Sequence, residues 1–379
     1  MNLQITYLKA LLMILVLTLF ACEQKKDNSQ KSFGSEFSVN NSITYVKVDS
    51  LGLTIYPSEP HVFQIEGQDF LYVYNRPLHS LDVYNLTERR FNYRIMLAKE
   101  GPNYINKFYK LNVLRPDSLY VMGAGKLYLI DDSGRLLKAY NMDFGNYEGT
   151  ISGQFRTPNE ANFSIEGSEM IGFFQHDNAR GSGKNGEAFE QSILGLYDLD
   201  NEILSFLPIS YSSFIIENDE DFAEIRPNLS FQGGRLFYGF PVESNIYEYD
   251  FLTQKSKMHS AESKFSENKA KRQSQHSDYD YRNDGTWFNR LNQYPEKPYF
   301  YRTHWGSQHK LRPDGEPTDA STKPGYIMFF DNELKVIDEI KIDDNCYLEG
   351  SFATDEGIFF WAKDGEDESQ IKFCHYYIE

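Results

Sequence analysis

Aromatic and cationic side chains are concentrated in one stretch near residue 300. The candidate ligand-binding residues in it are Trp287, Arg290, Tyr301, Arg302, His304 and Trp305. Aromatic faces beside hydrogen-bond donors suit a sugar or a peptide in a concave site. The alternative is that most of these residues are core aromatics of strands with arginines at the surface. The polar segment 262–284 precedes them, and the sequence predicts a long loop or a short helical excursion there.

The histidines and carboxylates form no recognisable catalytic or metal-binding pattern. His304 and His309 are five residues apart in a predicted loop, whereas a zinc site needs at least three protein ligands. The acidic run 217–221 lacks the alternating spacing of a calcium loop, which favours a solvated turn. We therefore predict no catalytic residue, no metal and no cofactor, although a ring of strands can gather such groups from distant segments.

The N-terminus combines an export signal with a cysteine at its end. Lys9 is followed by an uncharged run from Ala10 to Phe20, which is too short to span a bilayer. The run Leu19-Phe20-Ala21-Cys22 resembles a bacterial lipobox. That resemblance implies acyl chains such as palmitate on Cys22, and several chains anchor a protein stably. The alternative is an ordinary secretory signal whose cleavage leaves a cysteine.

Composition predicts the domain organisation and argues against two classes of partner. We predict a signal peptide at 1–21, a polar flexible tether at 22–35 and one domain at 36–379. A net charge of −17 argues against nucleic acid and against docking on anionic lipid headgroups. Cys346 and Cys374 remain after the lipid site; a disulfide is an option, but two small buried thiols are favoured.

A short pattern recurs along the chain, and it predicts strand pairs joined by turns. An aromatic or aliphatic residue plus Asp or Asn ends a strand-like run, and a polar turn and a second run follow. Asp and Asn suit this position because their side chains bond the turn backbone two residues on. The copies are at Asn85, Asp131, Asp198, Asp250 and Asp331, with a sixth at Asp49.

Another strand-like run lies upstream of most copies, which makes units of about four short strands. These runs are 70–75, 118–130, 169–175, 235–240, 298–305 and 357–364. Four antiparallel strands per repeat indicate an all-β fold, a β-propeller of six blades, with seven blades as the nearest alternative. A β-sandwich or two all-β domains would give a similar alternation. The last run, 370–379, has no following strand, so we hypothesise that a strand from the N-terminal run 42–56 completes the last blade.

The chain resembles a known family of proteins. The lipobox-like start, the run 99–105 (KEGPNYI) and the repeated aromatic-Asp turns look like the six-bladed propeller lipoproteins of Bacteroidetes. Those form a domain-of-unknown-function family similar to TolB-like and NHL-like propellers. The resemblance implies a fold and an anchor, and it carries no catalytic residues.

Two functions remain open from the sequence. The first is a membrane-anchored envelope lipoprotein, held in the bilayer through acylated Cys22 and expected at the outer membrane. Its propeller would bind or scaffold a protein, a peptide or a glycan. The alternative is a hydrolase or lyase with a metal or carboxylates at the central channel. The sequence does not tell whether the protein faces the periplasm or the outside.

Overall fold

The computed structural model consists mainly of β-strands, the first beginning at Val39 and the last ending at Ile378. The described residues are 38–48, 60–145, 153–155, 163–176, 191–217, 222, 225–270, 285–295, 297–309, 311–316, 318, 322–363 and 369–378. Cys22, the predicted signal peptide and tether, and the turn at Asp49 lie outside them. So do most of the acidic run 217–221 and the second half of the segment 262–284.

Within these residues the fold is all-β, with 25 strands and one short helix, α1 (Ser213–Glu217). Strand β1 (Val39–Lys47) comes first in the chain. Sheet 1 contains β2 (His61–Ile65), β3 (Gln68–Asn75), β4 (Ser80–Asn85) and β5 (Arg90–Met96). Sheet 2 contains β6 (Lys110–Arg115), β7 (Ser118–Met122), β8 (Lys126–Ile130) and β9 (Leu136–Asn141). Sheet 3 contains β10 (Gly153–Phe155), β11 (Phe163–Glu166), β12 (Glu169–His176), β13 (Leu194–Asp198) and β14 (Ile203–Leu207).

The other three sheets follow the same antiparallel order. Sheet 4 contains β15 (Asn228–Gln232), β16 (Arg235–Gly239), β17 (Ile246–Asp250) and β18 (Lys255–His259). Sheet 5 contains β19 (Trp287–Gln293), β20 (Phe300–Trp305), β21 (Gly325–Phe330) and β22 (Val336–Lys341). Sheet 6 contains β23 (Phe352–Ala353), β24 (Ile358–Trp361), β25 (Gln370–Ile378) and β1. Sheets 1 and 6 join through one parallel residue pair, Lys47 with Arg90.

The repeated Asp or Asn lies at the end of the third strand in sheets 1 to 5. In each case its side-chain oxygen accepts a hydrogen bond from a backbone N–H two or three residues on, at 2.8–3.0 Å. The five residues are Asn85, Asp131, Asp198, Asp250 and Asp331. This local bond closes the hairpin to the fourth strand, and the predicted turn pattern is confirmed at all five positions.

Sheet 6 obtains its fourth strand from the other end of the chain. Strand β1 pairs antiparallel with β25 in unbroken register, from Val39 with Ile378 to Lys47 with Gln370. The hypothesised pairing of the N-terminal strand with the last run is confirmed. It leaves β25 with a neighbour on each side, so the final strand is not an open edge.

Buried apolar clusters join each sheet to another. Ile95 packs with Leu111 between sheets 1 and 2, and Met142 with Phe163 between sheets 2 and 3. The clusters continue between sheets 3 and 4, sheets 4 and 5, and sheets 6 and 1. Gly325 of sheet 5 approaches Leu348, which precedes sheet 6. Sheets that pack in this cyclic order define a propeller-like architecture.

One strand of each sheet lies innermost, the first strand in five of the sheets and β11 in sheet 3, and side chains link one inner strand to the next. Contacts join β2 with β6, β6 with β11, β11 with β15, β15 with β19, and β23 with β2. The Lys110 Nζ donates to the Phe163 carbonyl at 2.8 Å, and the Asn228 Nδ2 donates to the Phe288 carbonyl at 2.8 Å. These bonds hold the inner strands together around the axis of the ring.

Cys346 and Cys374 form a disulfide, so the favoured prediction of two free buried thiols is wrong. Both residues are buried, as expected, but the fold brings them together. Cys346 lies in the segment after β22 and forms an isolated bridge with Ala362, while Cys374 lies in the neighbouring strand β25. The two strand-like runs, whose cysteines are 28 positions apart in the sequence, gave no indication of this pairing.

Candidate ligand site between sheets 5 and 6

The candidate residues of strand β20 point to opposite faces of sheet 5. Successive side chains of a strand alternate between its two faces. Arg302 and His304 therefore face sheet 4, whereas Tyr301, Thr303 and Trp305 face sheet 6. The structure separates the residues that sequence analysis had grouped.

Arg302 lies in the core between sheets 4 and 5, where 2% of its surface is exposed. One terminal nitrogen donates to the carbonyl of Ser244 at 2.7 Å, and the guanidinium lies 4.7 Å from the Phe288 ring centroid. Burial lowers the pKa of Arg302 to about 9, and Glu339 and Glu243 partly offset this effect. Its position supports the alternative of a core residue rather than a ligand contact.

His304 is fully buried in the same core, on a strand and not in the predicted loop. Its Nε2 lies 2.6 Å from Glu339 Oε1, and its ring stacks between Phe288 and Tyr326. Burial lowers the pKa of His304, against the effect of Glu339, and the ring donates through Nε2 to the carboxylate. The strand-like run predicted at 298–305 is confirmed, and only the placing of His304 in a loop with His309 is wrong.

Glu339 ties the same face of sheet 5 to the segment 261–270. Its two oxygens accept from the Ser263 hydroxyl at 2.6 Å and from the Lys264 N–H at 2.7 Å. Burial would raise the pKa of Glu339, but these bonds and that of His304 lower it overall. The face toward sheet 4 is thus a sealed polar network with its bonds directed inward.

The face toward sheet 6 is different, because strand β19 has a bulge there. Phe288 pairs with His304 and Leu291 with Arg302, so two residues, Asn289 and Arg290, lie opposite Thr303. An extra residue in one strand bends it and redirects side chains, and such bulges are frequent beside functional sites. The Asn289 Nδ2 donates to the Thr303 hydroxyl at 2.9 Å.

Asn289 and Arg290 both line a cavity of about 50 Å³ beside the point where three other inner strands begin. We call it the axial cavity. Its wall consists of Pro60, Asn228, Asn289, Arg290, Asn292, Thr303, Leu348, Glu349, Gly350 and Ser351. Pro60 precedes β2, Asn228 begins β15, and Ser351 precedes β23. Amide, hydroxyl and guanidinium groups thus converge near the axis of the ring.

A larger cavity of about 390 Å³ opens between sheets 5 and 6, and we call it the lateral cavity. It is lined by Trp305, Thr322, Lys323, Gly325, Ile342, Asp343, Asp344, Cys346, Leu348 and Lys363. Leu348 borders both cavities, so the two are adjacent. The Lys323 amine donates to the Gly285 carbonyl, and the Lys363 amine to the Asp344 carbonyl at 2.7 Å.

Trp305 and Arg290 are therefore the two predicted residues that line cavities. Tyr301 is buried beside Arg290, and Trp287 is partly buried against the core between sheets 3 and 4. Sequence reasoning missed Lys110 and His61, which lie near Arg290 around the axis. Each is the first residue of an inner strand, a position that becomes visible only once the strand register of every sheet is known.

His61 shows the electrostatic character of this end of the axis. Burial and then the nearby charges of Lys110 and Arg290 lower its pKa to about 3. The Nε2 atom accepts the Val113 N–H at 3.2 Å, so the hydrogen of the neutral ring is on Nδ1. Around these inner-strand starts the charge is positive, in a chain whose net charge is −17.

Among the described residues, no group of three or more His, Cys, Asp or Glu side chains could hold a metal ion. The same part of the chain contains no helix of a length and hydropathy that would cross a membrane.

The fold and these cavities define a propeller-like domain of unknown function. A family model, Domain of unknown function (DUF4221), matches residues 23–341, and the chain belongs to this family. A crystal structure of a DUF4221 member from Bacteroides vulgatus is similar at a TM-score of 0.75, with 17% identity over 91% of this chain and 99% of that one.

Two further structures are similar at lower scores. A "Putative exported protein" from Bacteroides fragilis has a TM-score of 0.54 and 10% identity, over 90% of this chain and 95% of that one. Virginiamycin B lyase from Staphylococcus aureus has a TM-score of 0.43 and 9% identity, over 89% of this chain and 99% of that one. No curated protein shows significant sequence similarity to the chain.

Proposed function

We propose that this protein is a lipid-anchored envelope protein whose propeller binds a protein, a peptide or a glycan at the lateral cavity. The observation that carries the proposal is the cavity itself. Its volume of about 390 Å³ falls within the range of small-molecule sites, roughly 300–1,000 Å³. Trp305 supplies an aromatic surface, while Lys323, Thr322 and Asp343 supply polar groups of both charges.

We propose six blades, one for each four-stranded unit. The cyclic order of the apolar clusters supports this number, as does the strand that β1 contributes to sheet 6. In this arrangement β2, β6, β11, β15, β19 and β23 surround the channel. The axial cavity then lies at the channel mouth where these strands begin.

We propose that Cys22 is acylated and places the domain at the outer membrane. Three observations support an exported location. The first is the lipobox-like run before Cys22. The second is the disulfide, since such bonds persist mainly in oxidising compartments. The third is a structurally similar protein whose name gives it as exported. Radiolabelled palmitate incorporation that disappears in Cys22→Ala tests the anchor, and protease shaving of intact cells tests which face it occupies.

The alternative, a hydrolase or lyase, requires a metal or carboxylates at the channel. The described inner strands carry one carboxylate, Glu166 at the end of β11, so they bring no pair of carboxylates to the channel, which favours binding. Metal content of the purified chain, together with hydrolysis assays on the probes below, tests the alternative directly. Stoichiometric metal with turnover would replace the binding proposal.

The binding proposal is tested by calorimetric titration of the detergent-solubilised full chain. The probes are neutral and acidic oligosaccharides and one acidic and one basic decapeptide. We expect one probe class to bind and Trp305→Ala to weaken it at least tenfold. Tyr104→Ala, which removes an exposed aromatic from the segment between sheets 1 and 2, is the matched control and should change nothing. Binding that ignores Trp305→Ala, or no binding by any probe, would contradict the proposal.

A further inference from the structure

Strand β1 is the outermost strand of sheet 6, and it pairs with β5 of sheet 1 at one residue only, Lys47. We infer that the outer edge of β1 is the contact surface for a second copy of this chain. The two β1 strands pair antiparallel across a two-fold axis and extend sheet 6 from one copy into the other. This contact is separate from the lateral cavity and does not depend on the ligand proposed there.

The hydrogen bond of Lys47 shows which residues of β1 direct their backbone groups outward. Its N–H donates to the Arg89 carbonyl at 3.0 Å, on the side of β1 away from β25. Successive residues of a strand direct their N–H and C=O groups to opposite sides. The backbone groups of Tyr45, Ile43 and Asn41 therefore point outward as well. Among the described residues, no strand pairs with them on that side.

The side chains of the same residues leave apolar surface at this edge. Thr44 and Val46 are buried, whereas Ile43 is 48% exposed and Tyr45 is 49% exposed. The edge thus combines unpaired backbone groups with an isoleucine and a tyrosine that a neighbouring strand would cover. Removing such apolar surface from water favours association.

The outer strands of the other five sheets each have a feature that discourages pairing with another chain. The pairs that β5, β9 and β22 form with their neighbours contain a bulge. Strand β18 carries Lys255 and Lys257, and β14 has only five residues. Strand β1 has nine residues in unbroken register, and its one charged residue is Lys47 at the end. Bulges, charges and short length protect sheet edges from association, and β1 lacks all three.

A second copy matches this edge in length and in charge. With the two-fold axis at Ser42, Tyr45 of one copy lies opposite Val39 of the other, a favourable pair of an aromatic and a β-branched side chain. Residues 39–46 are uncharged, so no like charges meet along the paired strands. The net charge of −17 opposes close contact between copies over most other surfaces. A two-fold contact is also the commonest symmetry among soluble oligomers.

The start of β1 is compatible with the proposed anchor in both copies. Antiparallel pairing separates the two Val39 residues by about 20 Å along the strands. The segment from Cys22 to Val39 would reach about 55 Å if it were fully extended. Both acylated cysteines could therefore insert into one membrane while the two β1 strands pair.

Sedimentation equilibrium of the full chain in density-matched detergent tests the contact. We expect the parent chain to associate to the mass of two copies at micromolar concentrations. Ile43→Lys places a charge from each copy at the paired edges, so it should raise the dissociation constant at least tenfold. Ile203→Lys is the matched control, because Ile203 is an equally exposed isoleucine on the short outer strand β14, and it should leave the dimer unchanged.

Ile43→Pro tests the backbone pairing without adding a charge. It removes one outward N–H and no hydrogen bond to β25, so the fold should be kept while the dimer weakens at least several-fold. It also carries the test if circular dichroism melting shows that Ile43→Lys does not fold.

A parent chain that stays monomeric overturns the inference, whether residues 23–37 of the same chain or a strand of another protein then covers the edge. A dimer that neither Ile43 variant weakens, or that Ile203→Lys weakens equally, overturns it too. Either result leaves ligand binding at the lateral cavity untouched, because Trp305→Ala tests that proposal separately.

Discussion

The two faces of strand β20 carry similar residue types with different surroundings. Toward sheet 4, Arg302 and His304 donate to carbonyls and to Glu339, and almost none of their surface reaches solvent. Toward sheet 6, Thr303 and Trp305 border cavities that Arg290 and Lys323 also line. A polar side chain with its bonds closed inside the core positions the fold, whereas one beside an open cavity can exchange its partner for a ligand. In the proposed function, the face toward sheet 4 supports the fold and the face toward sheet 6 binds the ligand.

The largest loss of stability should come from a substitution in the buried polar network on the face toward sheet 4. Glu339→Ala removes the acceptor for His304, Ser263 and the Lys264 N–H, and leaves these donors buried. We expect a loss of about 3–5 kcal/mol in the free energy of unfolding, the cost of removing one partner of a buried pair. Urea unfolding measures it. Asp338→Ala is the control, because its pair with the Lys264 amine is exposed and should contribute less than about 1 kcal/mol. An equal loss of stability in both variants would mean that the buried network of Glu339 does not stabilise the fold.

The second largest loss of stability should come from removing the disulfide beside the lateral cavity. Cys346 lines the lateral cavity, and its bond to Cys374 fixes that wall to β25. Replacing both cysteines with serine should lower the free energy of unfolding by about 3 kcal/mol, because the unfolded chain loses its cross-link. Reductant should destabilise the parent chain by a similar amount and leave the double variant unchanged. Two free thiols in the unfolded, unreduced parent would contradict the bond.

His61 should make the stability of the folded chain decrease in acid. Its pKa is about 3 in the folded chain and about 6.5 as an ordinary histidine, so the unfolded chain binds the proton first. Its contribution to stability is complete above pH 6.5 and is lost as the pH falls from 6.5 toward 3. One such proton changes the free energy of unfolding by at most about 1.4 kcal/mol per pH unit.

Urea unfolding of His61→Asn between pH 7 and pH 5 checks this expectation. The variant should show a shallower decrease than the parent chain. His309→Asn, which replaces an exposed histidine, should follow the parent. A His61→Asn profile as steep as the parent's would place the acid sensitivity elsewhere, for example at His304, whose pKa is also lowered by burial.

The smallest loss of stability should come from a substitution on the face toward sheet 6. Thr303→Val removes the acceptor for the Asn289 amide, as Glu339→Ala removes an acceptor on the other face. We expect a loss of no more than about 1 kcal/mol, since a neutral hydrogen bond contributes about that much and the amide borders a polar cavity. A loss as large as that of Glu339→Ala, again from urea unfolding, would show that the two faces are equally sealed.

The strands were predictable because their signals are local. The Asp or Asn at each hairpin bonds its own turn, and the alternating aromatic runs need only neighbouring strands. The pairing of β1 with β25 also followed, since the last run had no partner after it. The blade number rests on the same counting and is part of the proposal.

The site could not be predicted in the same way, because it depends on register and on distant contacts. Nothing in the run 300–305 shows that Arg302 meets the Ser244 carbonyl, and the bulge that redirects Arg290 is a property of the β19–β20 pair. The disulfide likewise needed the position of β25 beside Ala362. Lys110 and His61 have no sequence motif, since they become neighbours of Arg290 only when the first strands surround one axis.

The pairing of β1 with β25 also sets the order in which the molecule can form. Residues 39–47 are synthesised more than three hundred residues before residues 370–378, so β1 must wait through that synthesis for its partner. Sheets 1 to 5 are hairpin-connected and can form from local contacts, whereas sheet 6 needs both distant segments, which makes its formation slow. A chain that stops short of residue 370 would keep β1 and β24 as unpaired edges, which are prone to associate with other chains. The ring therefore closes only after residues 370–378 have been synthesised.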